Sequence, residues 1–130
     1  MCKYKPIEMA RSMHYGNNYF NTYSIKLKRN VRLFSELEYH NYLTLELDSF
    51  VDSFCEQPLK IEINLDEKLV TSIFDMWVLY KDGSEEFQEV KYAKEIEKPP
   101  SRTFCQIQKQ QMWCEQHEYK YTIRTDKEII

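Results

Sequence analysis

Two acids and a lysine in the stretch FDMWVLYKDGSEEFQEVKY, residues 74–92, have the types and spacing for chemistry: Asp75, Glu89 and Lys91. The stretch reads as two apolar strands around a turn at Lys81-Asp82-Gly83. If those residues form a three-residue loop with Gly83 in the left-handed position, Tyr80 faces Ser84 and Asp75 falls opposite Glu89. Cβ atoms of such a cross-strand pair lie ~5 Å apart. Lys91, two residues past Glu89, projects to the same face. A two-residue Asp82-Gly83 loop would send Asp75 to the wrong side, so register decides whether a site exists.

Two carboxylates this close repel strongly at low dielectric unless one is protonated or a cation bridges them. A hard divalent ion resolves the conflict. Mg²⁺ takes oxygen ligands, keeps several waters, and needs only one or two carboxylates. Such an ion polarises a phosphodiester oxygen and lowers the pKa of a bound water, and an ammonium stabilises the charge that develops. The residues thus point to metal-dependent phosphodiester hydrolysis. The competing reading is an edge-strand salt bridge, because an acid followed by E-x-K also arises by chance.

A further acid, Glu38, stands three residues after Ser35, the spacing of a helix capping box. That role accounts for its position by itself. If the helix packs over the sheet face bearing Asp75, Glu38 also enters the same pocket as a metal or water ligand.

At 130 residues the chain is one domain. No apolar run approaches the ~20 residues that cross a bilayer, and MCKYKPIEMARS lacks the apolar core of a signal peptide, so a cytoplasmic protein without membrane contact is expected. Cys2, Cys55, Cys105 and Cys114 form no C-x-x-C pair, and Cys114 with His117 has no second ligand pair, which argues against structural zinc. The net charge of −3 argues against whole-surface nucleic-acid binding, but the charge is unevenly placed. Residues 1–34 carry Lys3, Lys5, Arg11, Lys26, Lys28, Arg29 and Arg32 against Glu8 alone. This basic N-terminal segment holds a phosphate backbone near the acids, or else is a solvated arm; Lys26, Lys28, Arg29 and Arg32 are the candidate DNA contacts.

The elements that must position these side chains follow in order. Residues 1–34 suggest irregular chain with a short strand around Tyr23 to Leu27. A helix capped by Ser35 carries Tyr39, Tyr42, Leu43 and Leu47 at helical intervals and ends near Asp48. Val51 to Cys55 reads as a strand, Gln57-Pro58 as a break, and Leu59 to Leu65 as a second strand before the hairpin. Pro99-Pro100 closes the sheet portion. Ser101 to His117 reads as a helix with Phe104, Ile107, Gln111 and Cys114 on one face, Tyr119 to Arg124 as a strand, and Thr125 to Glu128 as a second capping box. Met76, Val78 and Tyr80 face one way and Trp77 and Leu79 the other, so neither sheet face is written for water. The expected class is α/β, a mixed sheet covered by helices on both faces.

Helix glutamate, strand aspartate, hairpin and E-x-K is the layout of the PD-(D/E)xK restriction-endonuclease-like superfamily. More narrowly, SELEYHNYLTLELDSFVDSFCEQPL, SIFDMWVLYKDGSEEFQEVKY and QIQKQQMWCEQHEYKYTIRTDKEI resemble the N-terminal catalytic domain of TnsA, the endonuclease subunit of heteromeric transposases, over roughly residues 31–130. The resemblance implies a domain over residues 35–130 with Glu38, Asp75, Glu89 and Lys91 as its catalytic set. It implies Asp75, Glu89 and the Val90 carbonyl as ligands of Mg²⁺, with Mn²⁺ able to substitute, and it matches Gln57 to the family's Q-P glutamine, beside an alternative role anchoring the strand start. Phe74 replaces the proline of the signature. In the family this subunit cleaves the 5′ strands at transposon ends in double-stranded DNA, beside an integrase-fold transposase and an ATP-dependent regulator. The family's C-terminal helical domain begins about where this sequence ends. A free-standing phage or defence nuclease or junction resolvase of the same fold, and a non-catalytic DNA-binding module, stand as alternatives.

Overall fold

The computed structural model describes residues 3–7, 19–96 and 102–129. Its centre is a four-stranded sheet in the order β3-β6-β7-β8, formed by β3 (Val51–Glu56), β6 (Met76–Tyr80), β7 (Glu85–Val90) and β8 (Lys120–Arg124). The first three strands run antiparallel and β8 joins β7 in parallel. A parallel step needs a crossover, and α2 (Ala93–Ile96) and α3 (Arg102–Gln116) lie in it. The sheet is therefore mixed.

Alternation along the strands sends side chains into two cores. On one face Val51, Phe54, Met76 and Val78 pack with Tyr42 and Leu45 of α1 (Glu36–Leu47). A register shift between Val51 and Ser53 keeps Val51 and Phe54 on that same face. On the other face Cys55, Trp77 and Phe87 pack with Phe74 and with Cys114 of α3. Phe87 and Phe74 stack at 4.6 Å between centroids, and Trp113 meets both rings.

Two hairpins complete these cores. β1 (Phe20–Ser24) pairs with β2 (Arg29–Leu33), whose Val31 and Leu33 are fully buried beside α1. The strand expected around Tyr23 to Leu27 is thus displaced: the chain turns there, Lys28 has φ 58°, and Tyr23 and Ile25 are exposed. Residues 20–33 are part of the fold rather than a solvated arm, because alternation buries Val31 and Leu33 while Arg32 points outward. β4 (Lys60–Leu65) pairs with β5 (Lys68–Ile73) across Asp66-Glu67, both at positive φ (51° and 62°), the geometry of a two-residue type I′ turn. The sequence gives little sign of β5, since Asp-Glu is not the Asn-Gly or Asp-Gly pair that announces such a turn.

In α3 the inward residues are Ile107, Gln110 and Cys114. Gln111, expected on that stripe, is exposed; a helix places i, i+3 and i+7 on one line, which selects position 110. The second capping box forms as expected: Thr125 N–H and Oγ1 both donate to Glu128 Oε2 at 2.6 Å, starting α4 (Asp126–Ile129), which lies against α1. The expectations at Cys2, Glu8, Arg11, Pro99-Pro100 and Ser101 fall outside the described residues. No helix among the described residues is long and apolar enough to cross a membrane.

Candidate active site

Asp75 occupies the bend between β5 and β6, where the ladder to β7 ends at Met76–Gln88; the next step along both strands sets it beside Glu89. The turn that fixes this register closes with Tyr80 N–H donating to Ser84 C=O and Gly83 N–H to Tyr80 C=O, both at 2.9 Å. Gly83 has φ +92°, a conformation that side chains disfavour. The loop is the three-residue one.

Main chain holds Asp75 from several directions. Its N–H donates to Gln88 C=O (3.2 Å), its C=O accepts from Gln57 N–H (3.1 Å), and its Oδ2 accepts from Val90 N–H (2.7 Å). Glu89 is 2% exposed, and its Oε1 is buried with no hydrogen-bond partner among the described residues. Lys91 Nζ stands 3.9 Å from Glu89 Oε2 and is partly open to solvent.

Glu38 reaches this group by a route other than the expected one. Its helix covers the Met76–Val78 face, whereas Glu89 shares the face of Trp77 and Phe87. The first turn of α1 brings the carboxyl into the field of Asp75 and Lys91. The capping contact forms: Ser35 Oγ accepts from Glu38 N–H (3.1 Å), capping α1, and the Ser35 hydroxyl donates to Glu38 Oε2 (3.2 Å).

The electrostatics follow from crowding. Burial, then the charge of Asp75, pushes Glu38 up to about 8 against the pull of Ser35. Asp75 is raised by burial despite Lys91 and the Val90 N–H. Glu89 is raised well above the usual range by burial and then by Asp75. Burial works against the Lys91 ammonium, but Asp75, Glu89, Glu95 and Glu38 outweigh it and raise its pKa, so it stays charged. Each carboxyl disfavours ionisation of the next, and one ammonium does not balance them. Hard oxygen donors with an orphaned lone pair fit a divalent cation such as Mg²⁺. Asp75 and Glu89 are the carboxylates that could hold one, and the Val90 carbonyl is the further ligand that the family resemblance implies. Among the described residues no group of three or more His, Cys, Asp and Glu side chains could hold a metal ion; Mg²⁺ itself needs only one or two carboxylates beside its waters.

The basic residues divide. Lys26 Nζ donates to the carbonyls of Leu45 (3.0 Å), Asp48 (2.7 Å) and Val51 (2.8 Å), closing the C-terminus of α1. Arg29 makes a bidentate pair with the buried Glu56, at 2.9 and 2.8 Å. Lys28 and Arg32 are exposed. Gln57 is buried at φ 41°, and its main chain joins Asp75 to Ile7, whose N–H it accepts at 2.9 Å.

Sequence reasoning missed Gln110 and Tyr121. Tyr121 OH donates to Gln110 Oε1 (2.5 Å), and Gln110 Nε2 donates to Ser72 Oγ (2.8 Å). The Gln110 amide eases the charge on Glu89, and burial with Glu89 and Asp75 nearby raises the Tyr121 phenol. The available signal was a glutamine on the inward stripe of α3, read one position too late.

A family model described as TnsA-like endonuclease N terminal matches residues 48–126, more than half of the chain. The match includes Asp75, Glu89 and Lys91 and begins after Glu38. No curated protein matches the chain.

Proposed function

The chain belongs to the TnsA-like endonuclease N-terminal family, with a restriction-endonuclease-like α/β fold, and from that premise we propose that it is a Mg²⁺-dependent DNA endonuclease that cuts the 5′ strands at transposon ends. The observation that carries this is the convergence of Asp75 and Glu89 on one sheet face, with Val90 N–H on Asp75 and Lys91 3.9 Å from Glu89.

When bound, a divalent cation supplies Lewis acidity at the phosphate and a more acidic water. The chain's own groups do the rest. Val90 N–H holds the Asp75 carboxylate, and the main chain of Gln57 and Gln88 holds the Asp75 backbone that carries it. Lys91, held charged by its acidic neighbours, neutralises charge on the phosphoryl oxygens as water adds to phosphorus and the bond to the leaving oxygen breaks, the water releasing a proton to solvent and the leaving oxygen taking one from it. Glu38, partly open to solvent, holds the attacking water by its carboxyl. Double-stranded DNA is the substrate; an integrase-fold transposase and an ATP-dependent regulator are the partners the family resemblance implies.

Plasmid nicking in Mg²⁺ or Mn²⁺, wild type against Asp75→Ala, tests the site. Nicking is expected only for wild type, and equal nicking by both proteins refutes the assignment. Calorimetric titration with Mn²⁺ gives a second measure that needs no partner: binding is expected to weaken in Asp75→Ala.

A further inference from the structure

A cavity of about 270 Å³ opens beside the bend that carries Asp75. Pro6 and Phe34 give it apolar walls, Gln57 and Arg32 line it, and the Arg29–Glu56 pair forms a further side. Two of its lining residues are tied to the acids through neighbouring main chain. Gln57 N–H donates to Asp75 C=O, and Phe34 directly precedes Ser35, whose hydroxyl holds Glu38.

The lining says what the cavity takes. A groove that follows only a phosphate backbone has no use for apolar walls. Here the exposed Pro6 offers a surface for a flat ring, and Phe34, 3% exposed, adds an apolar edge. Gln57 is 4% exposed, and among the described residues none hydrogen-bonds its side-chain amide, which leaves a donor and an acceptor for a ligand edge. Its φ of 41° is an uncommon conformation for a non-glycine residue, held by main-chain bonds to Asp75 and Ile7. Arg29 is already neutralised by Glu56, so Arg32, exposed at the rim, supplies the cavity's net positive charge. A flat group with hydrogen-bonding edges, joined to an anion, satisfies all of these. The volume lies just under the ~300 Å³ at which small-molecule pockets begin, which suits one base and excludes a stretch of duplex.

We propose that this cavity receives the base of the deoxynucleotide next to the scissile phosphate, unstacked from the duplex, with the Gln57 amide on its edge and Arg32 on its phosphate. The proposal rests on the nuclease reading and adds a nucleotide subsite to it. Unstacking costs least at a mismatch or an unpaired position, so DNA containing one is the preferred ligand.

The test is metal-free photo-cross-linking to duplexes that carry 5-iodouracil at a single unpaired position. Wild type is expected to cross-link within the cavity, in the peptide containing Phe34. Gln57→Leu, which removes the amide at similar volume, lowers the yield about fivefold, the loss of one hydrogen bond. Asn30→Trp, placed at an exposed position of the lining, blocks the mouth without touching the buried core and abolishes the cross-link. Cross-links on another surface, a yield indifferent to both variants, or no cross-link at all each overturn the subsite. Cross-linking requires no catalysis, so the two readings fail separately. Equal nicking by wild type and Asp75→Ala removes the active site and leaves the cross-link result standing; an insensitive cross-link removes the cavity and leaves nicking untouched.

Discussion

Replacing Glu38 by Gln should stabilise the metal-free protein, and the acid cluster sets the amount. The carboxyl rises from its ordinary 4.5 to about 8 in the folded chain, so between those values the unfolded chain has released a proton that the native one retains. The unfolded state then binds fewer protons, and stability falls as pH rises through that window. At pH 7 the penalty has a ceiling of about 3 kcal/mol, at ~1.4 kcal/mol per pKa unit. Partial solvent access at the first turn of α1 screens it, leaving about 1–2 kcal/mol. Glutamine keeps a capping-box side chain at this position and removes the charge. Urea unfolding with a chelator at pH 5, 6, 7 and 8 measures the effect. With a slope of about 2 kcal/mol/M, the variant's midpoint should lie ~0.5–1 M above wild type at pH 7, and the two should converge at pH 5. Added Mg²⁺ should raise the wild type more than the variant. A wild type that gains stability from pH 5 to 8, or a variant no more stable than wild type at pH 8, would refute the crowded-acid account.

Lys91→Met should reduce nicking by about 10²–10³-fold while Mn²⁺ binding persists, since the ammonium acts on developing charge; calorimetry beside a nicking assay separates the two. Gln110→Leu leaves the hydroxyls of Ser72 and Tyr121 without their shared partner and should cost about 1–3 kcal/mol in thermal or urea unfolding. Arg29→Met strands the buried Glu56 and should destabilise by about 3 kcal/mol, of which Glu56→Gln in the same chain recovers a part. For DNA affinity, Lys28→Ala and Arg32→Ala should each lower the salt slope by about 1, whereas Lys26→Ala, whose ammonium is spent on carbonyls, should lower stability and leave the slope unchanged.

Wherever local chemistry dominates, this protein can be read from its residues. Ser35 and Thr125 mark helix starts because each hydroxyl satisfies an amide within its own turn. Lys81-Asp82-Gly83 fixes the register of β6 on β7 because Gly83 alone in that loop takes positive φ without strain, and the register carries Asp75 to Glu89. Alternation along β6 divides Met76 and Val78 from Trp77, and thereby names both cores. Tertiary structure decided what depends on residues distant in sequence. Basic residues look alike in a chain, yet Lys26 caps α1 and Arg29 neutralises Glu56 across 27 positions, leaving Lys28 and Arg32 facing solvent. Glu38 joins the acids from a helix on the opposite face of the sheet, and Gln110 meets Tyr121 only because the crossover through α3 lays β8 parallel to β7. A hydrogen bond of a few ångströms is specified by where two elements come to rest, and no pattern within either element records that distance.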